Sequence, residues 1–506
     1  MLDLGSSILS STERIPNSIA IRDKNTKFSY FEWFQKIDAL SGSFKSLGLR
    51  KGDKIITLLQ NNIEAATIHW SCQMNGLIIT PLNWRMTSNE IDFCIFNSEA
   101  KCIIYQQESS VAVKNTTKSN KLINIFVGKN FKEINNLSKL IKDGNKGNSP
   151  EAKSDDYSII LYTSGTTGKP KGVPRTHSAE RAAGVAHIAQ NLYQQGEITL
   201  GVMPLYHTMG IRSLISMALI NGTFIAQPKF SSNDAIDFIE KFKITSLYLV
   251  PTLYHELIES NHFTSKKVFT CKKLGFAGAP MNDGLIQKVM NGFNPSQLVN
   301  HYGSSEVYTF TVDQNANIKP GSAGKAGINQ RIRVVEIGSN NHQKINSPNI
   351  EGEIIADLNS DEAFSGYWKR PDADKKSIKN NWYFTNDIGY LDQDGDLFVT
   401  GRVDDMIITG GENVSPIEIE NILSLNKNVL EVVVIGLPDE KWGQKICGFI
   451  KRIGKLNHND LDNHCIDLGL VNFKKPKEYF FIKEIPKSPT GKILRRKIIA
   501  GEYELE

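Results

Sequence analysis

Several scarcities narrow what this chain can be. Six of its 506 residues are cysteine (Cys72, Cys94, Cys102, Cys271, Cys447 and Cys465), and no two form a Cys-x-x-Cys pair. That excludes a zinc knuckle and a thioredoxin-type redox site, and leaves the thiols as small buried hydrophobes in a reducing compartment. No apolar run approaches the roughly 18 residues that a membrane helix needs. The opening Met1-Leu2-Asp3-Leu4-Gly5 has neither a basic nor an apolar leader segment, so no secretory signal is expected. Excess charge is also scarce: 59 basic against 54 acidic side chains leave a net charge of +5. Such a balance argues against a basic stripe for nucleic acid. We therefore expect a cytoplasmic protein with no membrane span and no nucleic-acid partner.

The chain does hold 40% hydrophobic and 22% charged residues, a globular composition. Its length calls for two or more domains. Ser29-Tyr30-Phe31-Glu32 reads as a capping box, opening a helix with Phe31, Phe34, Ile37, Leu40 and Phe44 on one face. Short apolar strands then alternate with helices up to residue 300: 54–59, 77–81, 101–105, 123–127, 200–203, 223–226, 246–250, 273–276 and 297–300. That is the pattern of parallel α/β layers. The polar stretches 107–121 and 142–156 read as surface loops. Beyond residue 320 the texture becomes β-ribbon with Asp-Gly turns, then a helix from Ser415 with Pro416 in its first turn, then a strand at 429–436. No internal repeat is present.

One segment stands out. Leu161-Tyr162-Thr163-Ser164-Gly165-Thr166-Thr167-Gly168-Lys169-Pro170-Lys171-Gly172 is rich in hydroxyls, glycine and lysine, and follows an apolar run. It predicts a buried strand feeding a mobile loop that holds phosphate. Glycine lets the backbone approach an anion, while hydroxyl and N–H groups donate and lysine adds charge. It is not a Walker A loop, because Gly165 stands only three residues before Gly168-Lys169 and Pro170 follows.

Further segments combine glycine, carboxylate and hydroxyl residues: Gly275 to Pro280, His301-Tyr302-Gly303-Ser304-Ser305-Glu306, Trp382 to Asp387, Gly401 to Pro416 and Pro486 to Lys497. In this order, with the opening loop, they resemble the motifs of the adenylate-forming superfamily: acyl- and aryl-CoA ligases, adenylation domains and luciferases. The resemblance spans roughly residues 10–500 and points to the acyl/aryl-CoA synthetase branch, similar to aryl-CoA and fatty-acyl-CoA ligases. It implies an α/β fold: a large N-terminal domain of layered sheets and helices (residues 1–403) and a small mobile α+β C-terminal domain (residues 404–506), hinged at Asp404.

The implied reaction joins a carboxylate to the α-phosphate of ATP, releases pyrophosphate, and passes the acyl group to CoA with loss of AMP. Crowding anionic oxygens together calls for cations and N–H donors aimed at the developing charge. The resemblance assigns Thr163, Ser164, Gly165, Thr166, Thr167, Gly168 and Lys171 to the β- and γ-phosphates. Glu306, with Thr167, would hold Mg²⁺, and Ser305 would touch the α-phosphate. Asp387 and Arg402 would bind the ribose. Gly278-Ala279-Pro280 and Tyr302, with Gly303 and Ser304, would enclose the adenine. Asn386 departs from the family's usual glycine, a change expected to alter only loop shape. Lys492 would be the catalytic lysine of adenylation.

The CoA end is implied by Gly410-Gly411-Glu412, Trp442, Phe473, Lys475 and Lys477; an aromatic face suits adenine and lysine suits phosphate. His207 would border an acyl pocket completed by Met209, Gly210, Ile211, Ala277, Ser304 and Tyr308. That lining predicts a mainly apolar pocket, for an aromatic or short-to-medium aliphatic acid. Arg212 is read as a surface ion pair in preference to a contact with a second substrate carboxylate. Small-molecule acid, ATP and CoA are thus the expected partners of a monomer or homodimer. The weighed alternatives are an enzyme that loads a carrier-protein phosphopantetheine, luciferase-like oxidation of an adenylate, and an ATP-binding sensor without catalysis. The Gly-Gly-Glu-Asn loop and Trp442 disfavour the first. The chain's end at Leu505-Glu506 lacks a peroxisomal tripeptide, against a peroxisomal version of the second. The intact set Glu306, Asp387, Arg402 and Lys492 argues against the third.

Overall fold

The computed structural model describes residues 2–128, 135–163, 170–487 and 493–506, without the side chains of Asp404 and Asn413. Among the described residues, three sheets organise the chain. The first has six strands in the order Ile123–Val127, Ala100–Gln106, Lys54–Leu58, Ile78–Pro81, Tyr157–Thr163 and Lys171–Thr176. All pair in parallel except the last, which runs antiparallel to its neighbour. The second sheet has 14 strands. Its centre is parallel: Gln297–Tyr302, Lys273–Ala277, Ser246–Leu249, Ile198–Gly201, Thr223–Ala226 and Ile19–Arg22. Antiparallel strands from residues 311 to 402 extend one edge.

Continuous apolar runs form the parallel centre because helices cover both of its faces. Leu247, Tyr248 and Leu249 are all buried, as are Leu274 and Phe276 on the next strand. The sequence reading of layered α/β structure therefore holds, with local corrections. The helix Tyr30–Ser46 does begin with a capping box at Ser29 and Glu32. Its buried face, however, runs through Tyr30, Trp33, Ile37, Leu40 and Phe44, while Phe31 is 53% exposed. The strand expected at 200–203 lies at Ile198–Gly201. Residues Gln107–Lys114 form a helix, not a loop. Its inward face is small and polar: Ser109 donates to the Leu58 carbonyl at 2.8 Å, a contact that apolar periodicity does not reveal.

The third sheet belongs to a small C-terminal unit and joins Glu412–Val414, Ile407–Thr409, Gly443–Arg452, Val429–Asp439 and Glu478–Phe481. This unit has its own core, in which Ile407, Val414, Ile419, Leu423, Val434 and Ile450 pack together. The helix Pro416–Ser424 starts with proline, whose missing N–H costs nothing there. At its base Ser415 donates to the Thr400 carbonyl of the large unit. All six cysteines are free and buried. No helix among the described residues is long and apolar enough to cross a membrane.

Candidate nucleotide and acyl site

Among the described residues, Ala277 and Tyr302 end parallel strands, at the edge where α/β sheets present ligands. Tyr302 ends the strand Gln297–Tyr302, and its hydroxyl donates to Asp387 Oδ2 at 2.6 Å. On the other side, Arg402 Nε lies 3.0 Å from Asp387 Oδ1, and the two residues face each other in antiparallel register. Burial and the Asp387 charge hold the Tyr302 phenol protonated, well above its ordinary range. A bulge re-aims Asp387: pairing runs from Ile355 with Phe384 to Glu353 with Ile388, so extra residues stand on the aspartate's strand. Asn386 sits in that bulge at φ 64°, a conformation glycine adopts freely and asparagine tolerates. The Asn386 departure therefore keeps the left-handed backbone that a glycine would take.

Glu306 lies nearby and is 7% exposed. Tyr367 donates its hydroxyl to Glu306 Oε1 at 2.6 Å, the one hydrogen bond to this carboxylate among the described residues. Lys171 Nζ stands 4.3 Å from the Tyr367 ring centroid. Burial lowers the Lys171 pKa, while the nearby Glu306 carboxylate pulls it back up. The turn before Glu306 is tight: Ser304 N–H donates to the Val307 carbonyl at 3.0 Å. A Cβ on Gly303 would meet the Tyr308 carbonyl oxygen at 2.1 Å, so only glycine fits there. Arg175, buried and paired with Glu180, holds this turn from beneath through the Ser305 and Glu306 carbonyls, each 3.4 Å away. Gly278-Ala279-Pro280, the segment expected at the adenine, follows Ala277, which pairs with His301 beside Tyr302.

Ser164, Gly165, Thr166, Thr167 and Gly168 lie outside the described residues, as does Lys492. Their anchor points are described. Thr163 pairs with Lys171 across the base of the first loop, which fixes that loop's ends beside Glu306. Lys487 bridges to Ile493 at the base of the second. Lys487 pairs with Glu431, Arg495 with Glu420 and Lys497 with Glu502. These basic neighbours of Lys492 thus have internal partners, which argues against a merely basic tail. Lys487 also lines a cavity of about 310 Å³ whose other walls include Tyr206, Met203, Trp84, Arg85 and Phe230.

His207 caps the helix Thr208–Leu219, its Nδ1 accepting from the Met209 N–H at 3.3 Å. The rest of the expected acyl wall does not assemble as read. Met209 packs with Ala277 in one buried cluster, whereas Ile211 and Tyr308 pack in another. Two residues apart on a helix is about 200° of rotation, so Met209 and Ile211 face opposite sides. The same helix corrects the reading of Arg212, which is no surface residue: it is 3% exposed.

On the small unit, Gly410 and Gly411 form the two-residue turn between paired Thr409 and Glu412, at φ 60° and 86°. Both positive values suit a hairpin turn that favours glycine. The Trp442 ring lies against Gly410, where an added Cβ would be 3.1 Å from it, and Trp442 is 40% exposed. Lys441 and Lys477 stand 4.8 and 6.0 Å from the Trp442 ring. Phe473 is exposed, but Lys475 is tied to Asp462 at 2.9 Å.

Comparison with known proteins decides the family. Residues 10–368 match the AMP-binding enzyme model, and residues 418–492 match the AMP-binding enzyme C-terminal domain. The chain belongs to the AMP-binding enzyme family. It is 28% identical over 497 residues to 4-chlorobenzoate–CoA ligase of Arthrobacter sp, covering 96% of this chain and 92% of that one. It is 29% identical over 459 residues to the long-chain-fatty-acid–CoA ligase FadD13 of Mycobacterium tuberculosis, covering 89% and 88%. Its fold matches ATP-bound MatB from Rhodopseudomonas palustris with a TM-score of 0.89 and 22% identity over 99% of both chains.

Within this AMP-binding enzyme, the residues that sequence reasoning missed are Tyr367 and Arg175. Each is more than 60 residues from the glutamate it serves, and neither lies in a glycine-rich motif. Only the folded structure, which brings distant segments together, shows that they brace Glu306.

Proposed function

We infer that this chain is an ATP-dependent acid–CoA ligase, an AMP-forming acyl-CoA synthetase. It activates an organic acid as acyl-AMP with release of pyrophosphate, then transfers the acyl group to CoA with release of AMP. The observation that carries the residue assignments is the convergence of Asp387, braced by Tyr302 and Arg402, with Glu306 and Lys171 at the strand ends.

In this reading Asp387 and Arg402 orient the ribose, and Tyr302 with Gly278-Ala279-Pro280 encloses the adenine. Lys171 and the loop Thr163 to Gly168 receive the β- and γ-phosphates, while Ser305 meets the α-phosphate. Glu306 fits a hard divalent cation, because Tyr367 fixes one carboxylate oxygen and leaves the other. When bound, Mg²⁺ supplies positive charge to the phosphate oxygens, with Glu306 and Thr167 as its protein ligands. Lys492 neutralises charge during adenylation; its neighbour Lys487 lines the cavity that Tyr206 also walls.

The small unit is proposed to span residues 404–506 and to turn about Asp404, within the short helical turn Val403–Asp405. Turning would present Gly410, Gly411, Glu412 and Trp442 to the acyl-adenylate, with Lys477 and Phe473 toward the CoA nucleotide. The chemistry suits a reducing cytoplasm, in keeping with six free buried thiols. The names of the relatives, a chlorobenzoate ligase and a fatty-acid ligase, support an aromatic or aliphatic acid. Incubating the purified protein with ATP, Mg²⁺ and a panel of acids, with and without CoA, tests this. AMP, pyrophosphate and a CoA thioester are expected together. Pyrophosphate without a thioester would favour a carrier protein as acceptor.

A further inference from the structure

Of the two buried arginines, Arg175 has its counter-ion in Glu180 and carbonyl acceptors around it. Arg212 has neither. Among the described residues no carboxylate comes within ion-pair distance of it, and its Nε has no acceptor. Glu362, another buried carboxylate of this region, accepts from Asn329 at 3.2 Å through Oε1, while its Oε2 is buried without a hydrogen-bond partner and outside ion-pair distance of Arg212. Arg212 meets the Tyr248 hydroxyl at 3.4 Å and lies 5.1 Å from the Tyr308 ring and 5.9 Å from the Tyr248 ring. A guanidinium keeps its charge at any working pH, and a buried charge without a partner costs several kcal/mol. Two aromatic faces at those distances offset only part of that.

The surroundings are polar and incomplete. The Asn191 amide joins two histidines: its nitrogen is 3.0 Å from His187 Nδ1, and its oxygen is 3.2 Å from His301 Nε2. An acceptor at His187 Nδ1 leaves the proton on Nε2, and that N–H is buried without a partner. His301 Nδ1 is a buried, unpartnered acceptor on the same grounds. The rings of His187, Tyr248 and His301 lie 4.6 to 5.2 Å apart, so these groups form one cluster. Burial first, then neighbouring cationic groups, holds both histidines well below their ordinary pKa, hence neutral. The cluster sits over Gly275, where an added Cβ would be 3.1 Å from both Asn191 Oδ1 and the Tyr248 ring.

Its place in the fold points to the substrate. His301 directly precedes Tyr302 on the strand that ends at the nucleotide site. Arg212 lies five residues beyond His207 on one helix, about 7.5 Å along the axis at 1.5 Å per residue. Resting on the ligase reading above, we propose that Arg212, with the His187 Nε2–H, receives a second carboxylate of the acid substrate. The preferred acid is then a dicarboxylate: one carboxylate is adenylated at the strand ends, and the other is buried beneath them. A carboxylate in this position supplies the missing counter-charge and the missing acceptor together.

Matched acids test this: hexanoate against adipate, and benzoate against isophthalate, scored by acid-dependent exchange of labelled pyrophosphate into ATP. At least one dicarboxylate should exceed its monocarboxylate partner by about 100-fold in kcat/KM, because a site built for a polar group rejects an analogue lacking it. Arg212→Met should remove that preference, lowering the dicarboxylate about 100-fold and leaving the monocarboxylate and the KM for ATP unchanged. Should Arg212→Met fail to fold, His187→Leu should lower the dicarboxylate selectively by about tenfold. Monocarboxylates preferred by the wild type, or equal losses on both acids in the variants, would make Arg212 a structural residue and overturn the proposal. Exchange with monocarboxylates alone leaves the ligase reading standing; no exchange with any acid overturns both.

Discussion

Asp387 and Arg402 face one another on adjacent antiparallel strands, with Arg402 Nε 3.0 Å from Asp387 Oδ1. Tyr302 reaches the other oxygen from a different part of the sheet, so the carboxylate is held in one orientation, ready for the ribose role proposed for it. Hydrogen bonds to a charged group contribute about 1.5–3 kcal/mol. Asp387→Asn should therefore raise the KM for ATP about 10- to 100-fold while leaving the KM for CoA unchanged. Steady-state kinetics with each substrate varied in turn will show whether the loss is confined to ATP.

Glu306 and Tyr367 should differ in severity although they touch. Glu306→Gln removes the charge proposed to meet Mg²⁺ and should slow adenylation by about 100-fold or more, on the scale of losing one electrostatic contact to the transition state. Tyr367→Phe removes one hydrogen bond from the same carboxylate and should cost about tenfold or less. A magnesium titration discriminates: the glutamine variant should need more Mg²⁺ for half-maximal rate, and the phenylalanine variant little more.

Lys171 gives a pH dependence. Burial places its pKa below the ordinary lysine value, so it loses its proton at a lower pH than a free lysine does. The proposed phosphate site then loses a positive charge as pH rises through that lowered pKa. The wild-type kcat/KM for ATP should fall on the alkaline side. In Lys171→Arg that fall should be absent, because a guanidinium does not titrate there.

Much of this was legible in the sequence, for physical reasons that can be named. The strand at 246–250 announces itself because a centre buried on both faces demands consecutive apolar residues, and Leu247, Tyr248 and Leu249 are all buried. The glycines at 303, 410 and 411 mark places where a side chain or a negative φ does not fit. The helix Gln107–Lys114 was hidden because it packs serines, not leucines, against the sheet. Phe31 misled because size does not decide which helical face turns inward; Trp33 takes the buried place. Arg212 was visible as a residue, yet its lack of an ion-pair partner among the described residues is a property of strands and helices far apart in the chain. The same holds for Tyr367 and Arg175.

The two half-reactions should separate along the two domains. Lys492→Ala should cripple formation of acyl-AMP and leave thioester formation from supplied acyl-AMP largely intact. Trp442→Ala should do the converse, raising the KM for CoA about tenfold, since stacking on an aromatic face is worth about 1–3 kcal/mol. Single-turnover assays of each step in both variants provide the comparison. Equal loss of both steps in Lys492→Ala would remove the role assigned to that lysine.

The central claim is that an acyl-adenylate forms before the thiol is used. Exchange of labelled pyrophosphate into ATP, measured without CoA, tests it most directly. The account predicts exchange that requires both the acid and Mg²⁺, and a CoA thioester with one AMP per thioester once CoA is added. Exchange that proceeds without any acid, or ATP consumed to ADP and phosphate, would contradict it.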